Sequence, residues 1–255
     1  MSSSEAAGGR RPDGPERSGG GAPALTTTTG PQDQGPAKPV FSPMAGTLVG
    51  RRTPRIKFCG FTRPEDVRAA CDLGVDLIGL NLARGPRRID LLVAISLARL
   101  VPPGIGVVAL SVNADAESVL AQAAALRAAA VQLHGEESPE VAGFLRARIP
   151  VIRAFRIATP TDLRRIQGYP ADAYLLDAAV AGSLGGTGVA WDHTLLAGAD
   201  LGAPVILAGG LHAGTVATAI TTAQPWAVDA ASGIESAPGC KDAARMAAFC
   251  HAVRG

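Results

Sequence analysis

Aromatic side chains are scarce in this chain, at 4% of its 255 residues. Few rings are therefore available to stack on bases. The 24 basic and 22 acidic residues leave a net charge of only +2, and no basic stripe runs along the sequence. Nucleic acid is excluded as a partner on both counts, since its binding surfaces combine phosphate-neutralising cations with stacking platforms. Long apolar runs are also missing. None approaches the ~20 residues needed to span a bilayer, so no membrane-spanning segment is expected. The four cysteines, Cys59, Cys71, Cys240 and Cys250, form no CxxC pair and no short cluster with histidine. This argues against a metal site and a disulfide framework, and it fits a reducing, cytoplasmic setting.

What the chain does have is 47% hydrophobic residues and a mean hydropathy of +0.21, enough for one substantial core. That content is unevenly spread. Residues 1–52 hold stretches such as "GGRRPDGPERSGGGAPALTTTTGPQDQGP", with almost no large apolar residue and no periodicity. This is the composition of a disordered Gly/Pro/Ser/Thr-rich tail. The apolar stretch of a secretory signal is absent, and Glu5, Asp13 and Glu16 are out of place in a transit peptide. Met44 stands just ahead of the patterned region, and residues 53–255 are expected to form a single catalytic domain.

From Pro54 onward one pattern recurs eight times: a short apolar or β-branched run, a turn, then a helical stretch. The runs are "RIKFC" (55–59), "DLIGLNL" (76–82), "GIGVVALSV" (104–112), "AAAVQLH" (128–134), "PVIRAFRI" (150–157), "DAYLLDA" (172–178), "PVILAGG" (204–210) and "PWAVDAASG" (225–233). After the first run, Thr62 and Glu65 have the spacing of a capping box, and Pro64 suits a first helical turn. Val67, Ala70, Cys71 and Gly74 share one helical face. Ser138 followed by Pro139 predicts a second capped helix start. Eight strand–helix repeats with strands too apolar for one-sided exposure predict an α/β fold, a closed parallel (β/α)8 TIM barrel. In such barrels the active site lies at the C-terminal ends of the strands.

Strand alternation then selects the polar side chains that point inward near those ends. They are Lys57 and Cys59 on the first run, Gln132 and His134 on the fourth, Asp177 on the sixth and Asp229 on the eighth. An ammonium two residues from a thiol can favour the thiolate, or it can simply pair with an acid such as Asp229. Both readings of Lys57 stand at this point. Glycine-rich segments follow the last three runs: "GSLGGTGVAW" with Gly185, Gly186, Thr187 and Gly188, "AGGLH" with Gly209 and Gly210, and "ASGIE" with Ser232 and Gly233. Their unshielded backbone N–H groups can wrap a phosphate.

These segments, in this order, resemble the phosphoribosylanthranilate isomerase family of tryptophan biosynthesis. "KFCGFTRPED" is similar to that family's K-x-C-G-[IL]-T opening, "GPRR" to its S-P-R segment and "VQLHGEE" to its V-Q-L-H-G strand end. "LLDA", "GGTGVAWD", "LAGGL", "VDAASGIE" and "PGCKD" continue the series. The resemblance implies a cofactor-free Amadori rearrangement, with Cys59 as general base and Asp177 as general acid. Arg87 would hold the substrate's carboxylate, the glycine loops its phosphate, and Lys57, Gln132 and His134 would line the substrate site. A phosphorylated small molecule is the implied partner, and the assembly is a monomer or a homodimer. Asn81 and Leu82, Gly85 and Ala231 depart from the family pattern. Two alternatives are a related aldose–ketose isomerase of histidine biosynthesis, which would use two aspartates, and a non-catalytic barrel that only binds a phosphorylated ligand.

A chain begun at Met44 is expected to fold and turn over as the full chain does. A lower melting temperature or a slower rate for the shortened chain would show that the tail packs on the barrel.

Overall fold

The computed structural model describes residues 53–164, 166–178, 196 and 200–255. The expected tail over residues 1–52 and the loop carrying Gly185, Gly186, Thr187 and Gly188 lie outside them. Eight strands form a closed barrel in chain order: β1 (Arg55–Cys59), β2 (Leu77–Asn81), β3 (Gly106–Ser111), β4 (Ala130–Leu133), β5 (Val151–Ile157), β6 (Ala173–Ala178), β7 (Val205–Leu207) and β8 (Ala227–Ala230). All adjacent pairs are parallel, and β1 closes on β8 with Lys57 opposite Asp229. The expected (β/α)8 architecture is what the chain adopts. Each strand is as long as or shorter than its apolar run, because the flanking glycines and prolines belong to the turns.

Seven helices are described: α1 (Pro64–Asp72), α2 (Leu91–Ala98), α3 (Ala116–Leu126), α4 (Pro139–Arg146), α5 (Pro160–Arg164), α6 (Val216–Ala223) and α7 (Ala243–Arg254). Their starts follow local chemistry. Ser138 accepts from Val141 N, Asp115 from Ser118 N and Asp242 from Arg245 N, which satisfies amides that have no partner within the helix. The capping box at α1 does not form. Arg63 occupies the N-cap with extended backbone, and the Thr62 hydroxyl donates instead to the Gly239 carbonyl at 2.6 Å. Pro64 does open the helix, and Val67 and Ala70 are buried. Cys71 is half-buried, and Gly74 lies beyond the helix in a left-handed turn rather than on its apolar face.

The core has two layers, as strand alternation demands. Outward-facing residues such as Phe58, Ile78, Val131 and Leu176 pack against the helices, with Phe58 edge-on to Phe249 of α7. Inward-facing Leu77, Val108, Ala130, Ile152, Leu175 and Ile206 fill the barrel. Beyond β8 a 3-10 turn (Ser232–Ile234) leads into a short antiparallel hairpin, β9 (Glu235–Ala237) and β10 (Cys240–Lys241), which the repeat pattern does not announce. Among the described residues no helix is long and apolar enough to cross a membrane.

Candidate active site

A cavity of about 770 Å³ opens at the C-terminal ends of the strands, bordered by Cys59, Arg87, Gln132, His134, Asp177 and Asp229 among others. Lys57, expected to line the substrate site, does not border this cavity: it has no solvent exposure, and its Nζ donates to Asp229 Oδ1 at 2.8 Å. Burial pulls the ammonium's pKa down, but Asp229 and then Cys59 outweigh it, so Lys57 stays charged. The pairing with Asp229 is therefore real, and the influence on Cys59 is real as well. Burial pushes the Cys59 thiol above its ordinary 9.0; Lys57 pulls it down and Asp229 adds to the rise. The lysine moderates the thiol without ionising it, so the thiolate expected as one reading of the sequence is not the resting state. Gly79 lies beside Cys59 in register, and a Cβ there would fall 2.6 Å from Cys59 Sγ. Glycine at this position makes room for the thiol.

Arg87 reaches the cavity rim from the turn after β2 and meets Glu235 of β9, with Nε at 2.8 Å and Nη2 at 2.7 Å from its two oxygens. The side-on edge of the guanidinium is thus taken, and no partner of Nη1 is found among the described residues. Gly60, at φ +82°, lets the chain turn where a Cβ would collide with Arg87 Cδ. Glu235 also accepts from Lys241 Nζ at 2.7 Å, and the same ammonium donates to the Cys59 carbonyl at 2.6 Å. Burial pulls the Glu235 carboxyl upward, yet Arg87 and Lys241 together hold it below its usual range. Sequence reasoning quotes "ASGIE" and "PGCKD" without giving Glu235 or Lys241 a role. Their burial in one short hairpin is a property of the fold that no local sequence pattern announces.

On the opposite wall, Gln132 Nε2 lies 2.8 Å from His134 Nδ1, and His134 Nε2 lies 3.9 Å from Asp177 Oδ2. The turn that carries His134 is fixed by buried Glu137, which accepts from Asn113 N and Gly135 N and pairs with Arg153 of β5. Arg156, at the end of β5, stands in register with Asp177. Burial first, then Lys57, Arg156 and Arg153, lower the His134 pKa to about 4, so its ring is neutral near pH 7. Sequence reasoning gave no role to Glu137, which lies in the turn beyond the fourth run, or to Arg153 and Arg156, which lie inside the fifth. Gly209, Gly210 and Ser232 border the cavity on the β7–β8 side, while Gly233 packs behind them against the Leu211 carbonyl.

A thiol, a carboxyl group, a neutral imidazole and an arginine converging at the C-terminal mouth of a parallel barrel make this an acid–base enzyme of the (β/α)8 class. A model of the N-(5'-phosphoribosyl)anthranilate isomerase family matches residues 56–252, and the chain belongs to that family. It is 43% identical over 207 residues to the N-(5'-phosphoribosyl)anthranilate isomerase of Myxococcus xanthus, covering 78% of this chain and 96% of that one. To the Acidithiobacillus ferrooxidans enzyme of the same name it is 44% identical over 205 residues, covering 79% and 98%. The crystal structure of phosphoribosyl anthranilate isomerase from Thermotoga maritima superposes with a TM-score of 0.75 at 31% identity, covering 79% of this chain and 99% of that one. A phosphoribosyl anthranilate isomerase in complex with reduced 1-(o-carboxyphenylamino)-1-deoxyribulose 5-phosphate gives 0.71 at 31% identity, with the same coverage.

The neutral His134 carries a consequence for stability. Its folded pKa of about 4 lies below the ordinary 6.5, so between those values the unfolded chain takes up a proton that the native ring refuses. Stability should therefore fall as pH drops from 6.5 toward 4, by up to about 3 kcal/mol at ~1.4 kcal/mol per pKa unit. Melting temperatures across this window check it: a His134→Asn chain should lose less than the native chain, and equal losses would contradict the assignment.

Proposed function

We propose that the barrel converts N-(5'-phosphoribosyl)anthranilate to 1-(2-carboxyphenylamino)-1-deoxyribulose 5-phosphate, a step of tryptophan biosynthesis, with Cys59 as base and Asp177 as acid. The observation that carries this reading is the placement of those two groups on β1 and β6, facing one cavity from different walls. The reaction needs one proton delivered and one removed on opposite sides of a sugar. Asp177 gives its proton to the ring oxygen as the C1–O bond breaks, and the nitrogen lone pair forms a Schiff base. Cys59 rests as a thiol, so it first releases its proton to solvent; the thiolate then takes the proton from C2, and the electron pair moves to give an enolamine. Tautomerisation of the enolamine yields the ketone.

The two anions of the substrate have separate receptors. Gly209, Gly210 and Ser232, which border the cavity, hold the phosphate through backbone N–H groups, and Gly185, Gly186, Thr187 and Gly188 of the glycine-rich segment that follows β6 in sequence are assigned to the same contact. The end-on edge of Arg87 holds the anthranilate carboxylate, and Glu235 fixes that edge in place. Ala231 offers no hydroxyl to the phosphate, so the backbone and Ser232 carry more of that contact. The protein acts in the cytoplasm on this phosphorylated small molecule, as a monomer or a homodimer.

Loss of the anthranilate-type fluorescence of the substrate, coupled to the next enzyme, measures the activity. Cys59→Ser and Asp177→Asn are each expected to lower turnover by about 10²-fold or more with the fold unchanged. A Cys59→Ser chain with near-normal turnover would sink the base assignment. Because burial holds the thiol above 9.0, alkylation of Cys59 by iodoacetamide should still be accelerating at pH 9 and should slow with substrate bound. A rate already level at pH 7 would mean that Lys57 ionises the thiol after all. Glu235→Gln should raise KM about tenfold while moving kcat less, since it releases Arg87 but touches no reacting atom. An unchanged KM would separate Glu235 from carboxylate binding.

A further inference from the structure

The inner face of β4 carries Gln132, and His134 follows just past the strand on the same side, so both side chains enter the cavity. Gln132 is 1% exposed, and its contact with His134 Nδ1 is the one hydrogen bond its side chain makes among the described residues. Its carbonyl oxygen has no partner there. Across the ring, Nε2 stands 3.9 Å from Asp177 Oδ2. The charges facing the ring are Lys57 from β1, Arg153 and Arg156 from β5 and Asp177 from β6; the three cations and burial keep the ring neutral.

A neutral imidazole carries one proton, on one of two nitrogens, and the choice is set by what each nitrogen meets. With the proton on Nε2, the ring presents an N–H to a carboxyl oxygen. With the proton on Nδ1, it would turn a lone pair toward that oxygen, which is repulsive once the acid ionises. The first arrangement needs a donor at Nδ1, and the amide NH2 of Gln132 is that donor.

We propose that Gln132 is a positioning residue: by donating to Nδ1 it holds His134 as the Nε2–H tautomer, which presents an N–H to Asp177 and stabilises the carboxylate formed when Asp177 protonates the sugar oxygen. This deepens the isomerase reading and rests on it. Asp177 loses one proton to the ring oxygen of the substrate, His134 keeps its own throughout, and Gln132 exchanges none. At 3.9 Å the N–H is an electrostatic neighbour rather than a hydrogen-bond donor, so its effect grows with the charge on the oxygen. It therefore favours the transition state over the resting acid. Sequence reading treats Gln132 and His134 as substrate-lining residues only; here Gln132 acts through its neighbour.

Nitrogen-15 ring spectra of the full chain test this directly, with the His134 signals assigned by their loss in His134→Asn. The native ring should show the Nε2–H pattern. Gln132→Glu offers Nδ1 only acceptors, and is expected to move the proton to Nδ1 and lower kcat about tenfold or more with little change in KM, as when a histidine loses its orienting partner. Gln132→Met removes the donor without adding charge, and should give mixed tautomers and an intermediate kcat. It also serves if the glutamate chain does not fold. A native ring protonated on Nδ1, or a Gln132→Met chain with native tautomer and native kcat, overturns the proposal. If the native protein shows no isomerase turnover, the function reading falls, and the role assigned to Gln132 toward Asp177 falls with it. The tautomer spectra would still decide whether Gln132 sets the ring.

Discussion

An ammonium group sealed inside the barrel governs what surrounds it. Removing a charge from water costs several kcal/mol, and Lys57 recovers this chiefly through a carboxylate at contact distance, Asp229. Because these two residues belong to the strands that close the sheet, the same pair is the seam of the barrel. Its field also reaches the groups above it. For His134 the cation acts together with burial, and the ring is left neutral. For Cys59 it opposes burial and loses, and the thiol is left neutral too. The same buried charge thus favours the neutral form of His134 and works against the neutral form of Cys59, which burial alone secures.

A second set of buried charges ties the walls of the cavity together. Glu235 joins Arg87 to Lys241, and Lys241 in turn holds the carbonyl of Cys59. Asp66 of α1 accepts from Lys241 N and from Arg63, so the first βα turn and the last hairpin are locked as one piece. Charged hydrogen bonds of this kind are worth more in a dry interior than at the surface, and each carboxylate oxygen here has a donor. Glu137 and Arg153 do the same for the wall that carries His134. The groups that would touch substrate are therefore aimed by others that would not.

How far the sequence alone reveals this depends on what each residue answers to. The barrel is legible because eight apolar runs at strand length admit few packings, and Cys59, Gln132, His134 and Asp177 follow from strand alternation once the C-terminal ends are identified. The supporting charges are not legible in the same way. Glu235 and Lys241 matter because a two-residue strand folds back over β1, which no local pattern announces. The capping box failed for a related reason: the Thr62 hydroxyl is claimed by Gly239, 177 residues away, and local spacing cannot register a distant competitor. The state of Cys59 was undecidable from sequence because it rests on a contest between burial and one cation.

The seam between β1 and β8 also sets a schedule for synthesis. Lys57 is made 172 residues before Asp229, which at a ribosomal pace of ~5–20 residues per second means a wait of roughly 10–35 s. Throughout that interval the first strand has one unpaired edge and an ammonium with no counter-ion, while the apolar lining of the nascent half-barrel faces water. Non-local closure of this kind is slow and exposes surface to other chains. Closure of the sheet, and with it the neutralisation of Lys57, thus waits on the last strand to be made.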